Sequence, residues 1–198
     1  MSRLIETIRL ENGQLGDLGY HQARVNRAFR EFFNGQPPID VKEFLSSCPM
    51  PSVGLHKIRI VYGTEIHAVQ ISVYNARKIE TLKMVKGDSV SYAHKFEDRS
   101  ELERLESLRG NCDDILIVKN KAVTDASFAN LAFRRGEKWY TPSRALLNGT
   151  MRQQLLDKKI IFEEEITIGD LHRYEKVKLI NAMLQFEGPE IDVSRIVR

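Results

Sequence analysis

Five histidines (His21, His56, His67, His94 and His172), two cysteines (Cys48 and Cys112) and the run Glu163-Glu164-Glu165 could carry metal binding or acid–base chemistry. A structural metal site needs ligands that recur at short, defined spacings. These histidines and cysteines do not, so they read as surface or hydrogen-bonded residues. The cysteines also make no disulfide framework, and their small number points to a reducing compartment. A strand with one inward position explains the three glutamates. No GxGxxG, Walker lysine loop, HExxH or GxSxG occurs. Arg24, Arg27 and Arg30 form the densest basic cluster, which at helical spacing reads as a solvated face.

The elements that would position any site follow from patterning. The chain has 198 residues, 42% hydrophobic and 29% charged, with a net charge of +3. That is the composition of a globular domain or two small ones, and too weakly basic to suggest a nucleic-acid protein. The first ten residues lack a signal-peptide core, and no apolar run is long enough to span a membrane. We therefore read the chain as cytoplasmic. Residues 3–10 predict a strand ending at a hairpin-type turn, Glu11-Asn12-Gly13. Val25, Ala28, Phe29, Phe32 and Phe33 predict a core-facing helix over 21–33, stopped by Asn34-Gly35. A short helix near 40–47 and a strand pair, 55–62 and 66–74, follow, and 79–85 is a further strand. Lys86 to Ser89 is the linker candidate. The predicted division is therefore a small α+β domain over 1–86 and an α/β pseudo-barrel domain over 87–198. The second part should hold a helix at 100–108, capped by Asp98 or Ser100, and an apolar strand at 114–118. Strands near 130–134 and 138–141, a helix at 149–157 and a strand at 160–165 come next, then a short helix at 168–173 and a strand at 176–183. The class is α+β or mixed α/β, and nothing demands a doubly wound parallel sheet.

One stretch says more. Val123-Thr124-Asp125, Ala129-Asn130-Leu131, Phe133, Thr141-Pro142 and Leu147-Asn148-Gly149-Thr150-Met151-Arg152 fall in this order within Asp113–Leu156. This resembles the central signature of the class IV aminotransferases, which are fold type IV pyridoxal-phosphate enzymes. Ile5-Glu6-Thr7-Ile8-Arg9 is similar to the family's N-terminal "F-E-T-hydrophobic-R", and His21-Gln22-Ala23-Arg24 to its "H-hydrophobic-x-R-L" helix. His94-Lys95-Phe96-Glu97-Asp98-Arg99 resembles its lysine segment, and Ile180-Asn181-Ala182-Met183-Leu184 the "C-N-A-L" strand of aminodeoxychorismate lyases. The resemblance implies a two-domain, D-amino-acid-aminotransferase-like architecture in shortened form, and a homodimer.

It also implies roles. Lys95 would hold pyridoxal 5'-phosphate as a Schiff base and shuttle the substrate's α-proton, which needs a depressed amine pKa. Asp125 would pair with the pyridinium nitrogen. Arg24 would bind the phosphate as a forked donor. Gly149, Thr150 and Met151 open a helix whose backbone amides suit a phosphate. Asn130 completes the cofactor set, and Asn181 and Ala182 would hold phosphate or a substrate carboxylate from a strand end. Singly, each residue has an ordinary reading. Lysines are usually solvated, an aspartate after a turn is usually a cap, an asparagine ties down turns, and a phenylalanine stripe is core. The ordered set outweighs those readings.

The family normally has glutamate where this chain has Asp125, one methylene shorter. It also commonly has a leader before the first strand that shapes the substrate side, and the resemblance implies that this is missing here. Aminodeoxychorismate lyase chemistry is the leading expectation, converting 4-amino-4-deoxychorismate to 4-aminobenzoate and pyruvate. It rests on Tyr140-Thr141-Pro142, Met151-Arg152-Gln153 and Asn181-Ala182-Met183. A branched-chain or D-amino-acid aminotransferase is the alternative, and a non-catalytic pyridoxal-phosphate-binding protein the third. The expected partner is a small amino acid or amino-chorismate, with no nucleic acid or membrane.

Overall fold

Leu4, Glu6, Ile8 and Leu10 alternate along the first strand, β1 (Leu4–Glu11), and all four are buried. Three of them are core hydrophobics, so one charged residue sits on a core face. Asn12 and Gly13, both with positive φ, turn the chain tightly into β2 (Gln14–Leu15), as the turn signal predicts. The computed structural model describes residues 3–33 and 35–198, so Asn34 of the predicted helix stop lies outside the described residues.

Helix α1 (Leu18–Phe32) starts earlier than predicted because the Asp17 carboxylate caps it, accepting from the Gly19 N–H at 3.1 Å. Val25, Ala28 and Phe29 are buried, and so is Phe33 just past its end, but Phe32 is 42% exposed. The Phe32 ring instead sits edge-on to His94 and Phe96. Helix α2 (Val41–Ser46) is capped by Asp40, and β3 (Leu55–Tyr62) and β4 (Ile66–Val73) form the predicted pair. These strands make a four-stranded antiparallel sheet in the order β2-β1-β3-β4, with α1 and α2 contributing Phe29 and Leu45 to its core.

By contacts this unit comprises the residues up to Ala76 together with His94–Asp98, and Arg77–Ala93 with Arg99–Arg198 make up the second. The second unit contains β5 (Leu82–Lys86), α3 (Ser100–Glu106), β6 (Asp114–Lys119), β7 (Ala122–Ala126), β8 (Asn130–Arg135) and β9 (Lys138–Pro142). It continues with α4 (Thr150–Asp157), β10 (Ile161–Glu164), β11 (Lys176–Ile180), β12 (Glu190–Asp192) and β13 (Ile196–Val197). Its nine strands form one mixed sheet. The pairs β13–β5, β5–β6 and β9–β10 are parallel and the rest antiparallel.

Two local expectations are corrected. The N-cap of α3 is Arg99, with no side-chain cap bond, rather than Asp98 or Ser100. Residues 168–173 hold only a 3-10 turn, Leu171–Arg173. The Asp170 carboxylate folds back to accept from the N–H and hydroxyl of Thr167, which fixes a turn there instead of a helix. Asp125 lies inside β7. Asn120 and Lys121, with φ of 50° and 69°, reverse the chain from β6 into that strand. Among the described residues no helix is long and apolar enough to cross a membrane, and no three His, Cys, Asp or Glu side chains are grouped to hold a metal ion.

Candidate active site

In the second unit the candidate residues lie where β7 ends, β8 begins and β11 ends. All five residues of β7 are buried. Asp125 pairs with Asn130 across β7 and β8, and Asn130 pairs with Ile180 across β8 and β11. One row thus brings Asp125 and Asn130 beside the strand end that carries Asn181 and Ala182. The Asn130 amide donates from Nδ2 to Asp125 Oδ1 at 2.8 Å and to the Leu147 carbonyl at 2.8 Å. Oδ2 of Asp125 accepts from the Leu147 N–H at 2.9 Å. Burial pushes the Asp125 carboxyl up to about 6, against the opposing pull of the Leu147 and Asn130 hydrogen bonds and the more distant Arg152 charge. Its hydrogen-bond donors are all neutral.

Gly149 is the N-cap of α4, with φ of −68°, so torsional freedom is not what selects glycine. Space selects it, because a Cβ there would lie 2.1 Å from Asn130 Oδ1. The same asparagine therefore packs under the helix start and holds Asp125. No side chain caps α4. The first-turn N–H groups of an α-helix have no acceptor within it, which makes them an anion-binding feature at the Thr150 and Met151 amides. Arg152, quoted above only as part of a motif, fixes this turn. It is buried, and donates to the Pro142 carbonyl at 2.9 Å and the Glu163 carboxylate at 2.5 Å. Asn181 uses its own side chain to build the turn after β11. Its Oδ1 accepts from the Met183 and Leu184 N–H groups, and its Nδ2 donates to the Phe128 carbonyl.

Lys95 and Arg24 belong to the first unit. The half-buried Lys95 lies in a segment fixed to β1: its carbonyl accepts from the Ile5 N–H at 2.8 Å, and Phe96 bridges Leu4. His94 Nε2 meets Glu31 of α1 at 2.7 Å. Arg24 does not join a solvated basic face. It is 6% exposed, and its Nε and Nη2 donate to the two carboxylate oxygens of Glu6 at 2.7 and 2.5 Å. His21 donates from Nδ1 to the same carboxylate at 2.6 Å. Burial alone would raise the Glu6 pKa, but the Arg24 charge and the bonds from His21 and Arg24 outweigh it and hold the group at about 2. The motifs that contain Glu6 and His21 assign them no role. The alternation along β1 was the available signal, since an acid on an apolar face requires a buried cation or donors.

A profile described as "Amino-transferase class IV" matches residues 75–186. An uncharacterised protein of Haemophilus influenzae is 38% identical over 186 residues, covering 92% of this chain and 98% of its own. A crystal structure from Haemophilus somnus, of a provisionally assigned 4-amino-4-deoxychorismate lyase, is 36% identical with a TM-score of 0.87. The match covers 92% of this chain and 97% of that one. The PLP-bound form of a hypothetical aminotransferase from Mycobacterium tuberculosis shares the fold, with a TM-score of 0.77 at 14% identity, covering all of this chain and 84% of that one. With its mixed α/β fold and the ordered signature from Val123 to Arg152, this chain belongs to the class IV aminotransferase family.

Proposed function

We propose that the chain is a pyridoxal-phosphate-dependent enzyme with Lys95 as the covalent lysine, acting on 4-amino-4-deoxychorismate. The observation that carries the cofactor reading is Asp125, a buried carboxylate held by neutral donors beside an uncapped helix start. Such a group is costly unless a cation from outside the chain completes it, and a protonated pyridine nitrogen is that cation. The α4 amides suit the phosphate, and Gly149 lets Asn130 pack under that helix start while holding Asp125, so the donor set fits the cofactor. When bound, pyridoxal phosphate supplies the electron sink that lets an α-carbon lose its proton.

The chain's own residues do the rest. Lys95 would hold the cofactor through Nζ, and the same atom would carry the substrate's α-proton. Asp125 keeps the pyridine nitrogen protonated by a charge-assisted hydrogen bond. Arg24, Thr150 and Met151 bind the phosphate, and Asn181 and Ala182 offer backbone groups to phosphate or a substrate carboxylate. Loss of pyruvate with aromatisation then gives 4-aminobenzoate. Support for this reaction over transamination is the similarity to the Haemophilus somnus protein and the match at Tyr140-Thr141-Pro142, Met151-Arg152-Gln153 and Asn181-Ala182-Met183. A cytoplasmic homodimer belongs to the same reading.

The test supplies aminodeoxychorismate and follows 4-aminobenzoate. A parallel assay supplies branched-chain or D-amino acids with 2-oxoglutarate and follows the keto acid. The reading expects 4-aminobenzoate. Transamination without it would replace the lyase with an aminotransferase, and silence in both assays with cofactor bound would remove both substrate readings.

A further inference from the structure

We propose that Glu6 and His21 are positioning residues that set how tightly the site holds a phosphate, by locking the orientation of Arg24. This rests on the reading that Arg24 binds the cofactor phosphate. Both residues are buried although polar, Glu6 with 1% and His21 with 3% of its surface exposed. Glu6 stands on the inward face of β1, between Leu4 and Ile8. Its carboxylate accepts three hydrogen bonds, two from Arg24 and one from His21. A guanidinium is a rigid plane, so fixing its Nε and Nη2 edge on Glu6 determines where the Nη1 edge points. That edge faces away from Glu6. His21 and Arg24 lie three residues apart on α1, one helical turn, and both reach the same acid. The helix thus supplies the cation and a second donor, and the strand supplies the anchor that holds them.

Preorganisation of this kind acts on the ligand that Arg24 meets and not on the rest of the cofactor. A group that only stabilised the fold would affect every ligand alike. Pyridoxal and pyridoxal phosphate differ only in the phosphate, so the ratio of their affinities isolates the effect.

The experiment measures binding of pyridoxal phosphate and of pyridoxal to the cofactor-free full chain by equilibrium dialysis. The variants are Glu6→Gln, His21→Asn and Arg24→Ala, with circular dichroism confirming the fold. Glu6→Gln should weaken pyridoxal phosphate about tenfold and leave pyridoxal unchanged. His21→Asn, which keeps the carboxylate, should give a smaller loss of the same selectivity. Should Glu6→Gln fail to fold, Glu6→Asp and His21→Asn carry the test. If Arg24→Ala abolishes the preference for phosphate while the Glu6 and His21 variants keep it, the positioning role is wrong and the Arg24 reading stands. Equal losses for both ligands in those variants would also overturn it, by showing a structural role only. If Arg24→Ala itself leaves the ratio unchanged, the underlying phosphate assignment has failed.

Discussion

Three carboxylates are buried among the described residues, Glu6 with 1% of its surface exposed, Asp114 with none and Asp125 with 6%; Glu6 and Asp125 make the sharpest contrast, since burial alone would push both pKa values up. Glu6 nevertheless ionises at about 2, while Asp125 is pushed up to about 6. The difference lies in the donors. Glu6 has a guanidinium forked onto it and an imidazole beside it, so its charge is balanced within the chain. Asp125 has an amide and a backbone N–H, with the Arg152 charge acting only from a distance. A buried acid already paired with a cation is a positioning group. A buried acid held ready by neutral donors is where a ligand cation belongs.

Replacing Asp125 should have the largest effect. Asp125→Asn keeps the shape but cannot hold a proton on the ring nitrogen, so turnover should fall on the order of 10²- to 10³-fold. Cofactor binding, measured by absorbance titration, should change far less. Unchanged turnover would remove Asp125 from the mechanism.

The opposite pKa shifts give the comparison a pH signature. The Glu6 pKa is depressed on folding. Its contribution is present above the unfolded value of 4.5 and is lost as pH falls toward about 2. The Asp125 pKa is raised. Its contribution is present below the unfolded value of 3.8 and is lost as pH rises through about 6. Each is worth on the order of 3 kcal/mol. Urea denaturation of the cofactor-free protein should therefore show a falling limb between about pH 4 and 6 that Asp125→Asn flattens. A separate acid limb should disappear in Glu6→Gln. Identical pH profiles for wild type and both variants would contradict the contrast.

A smaller effect tests the scaffold under Asp125. The methyl of Gly149→Ala would meet Asn130 Oδ1 at 2.1 Å and push the amide off both Asp125 and the Leu147 carbonyl. A loss of about 2 kcal/mol is expected, typical of overpacking a filled site. An unchanged denaturation midpoint would mean that Asn130 moves aside without cost.

Much of this was legible in the residues. The turn at Asn12-Gly13, helix α1 and the β3–β4 pair follow from local patterning, and an ordered signature pointed to Asp125 and Gly149. Strand β7 leaves no mark in the sequence because all five of its residues are buried, so there is no polar–apolar alternation. The short strands β12 and β13 are too brief to leave a pattern. The second bond to Asp125 comes from the Leu147 backbone, 22 residues away, and any residue type but proline could supply it. Arg24 shows the opposite case. Its spacing with Arg27 and Arg30 suggested solvent, and only Glu6 on another element explains its burial.

The central claim is that this chain holds pyridoxal phosphate on Lys95. Purified protein loaded with the cofactor should be reduced with borohydride, digested and analysed by mass spectrometry. The account predicts a pyridoxyl adduct on the peptide containing Lys95, and none in Lys95→Ala. An adduct on Lys86 or Lys121 instead, or no adduct at all, would contradict it.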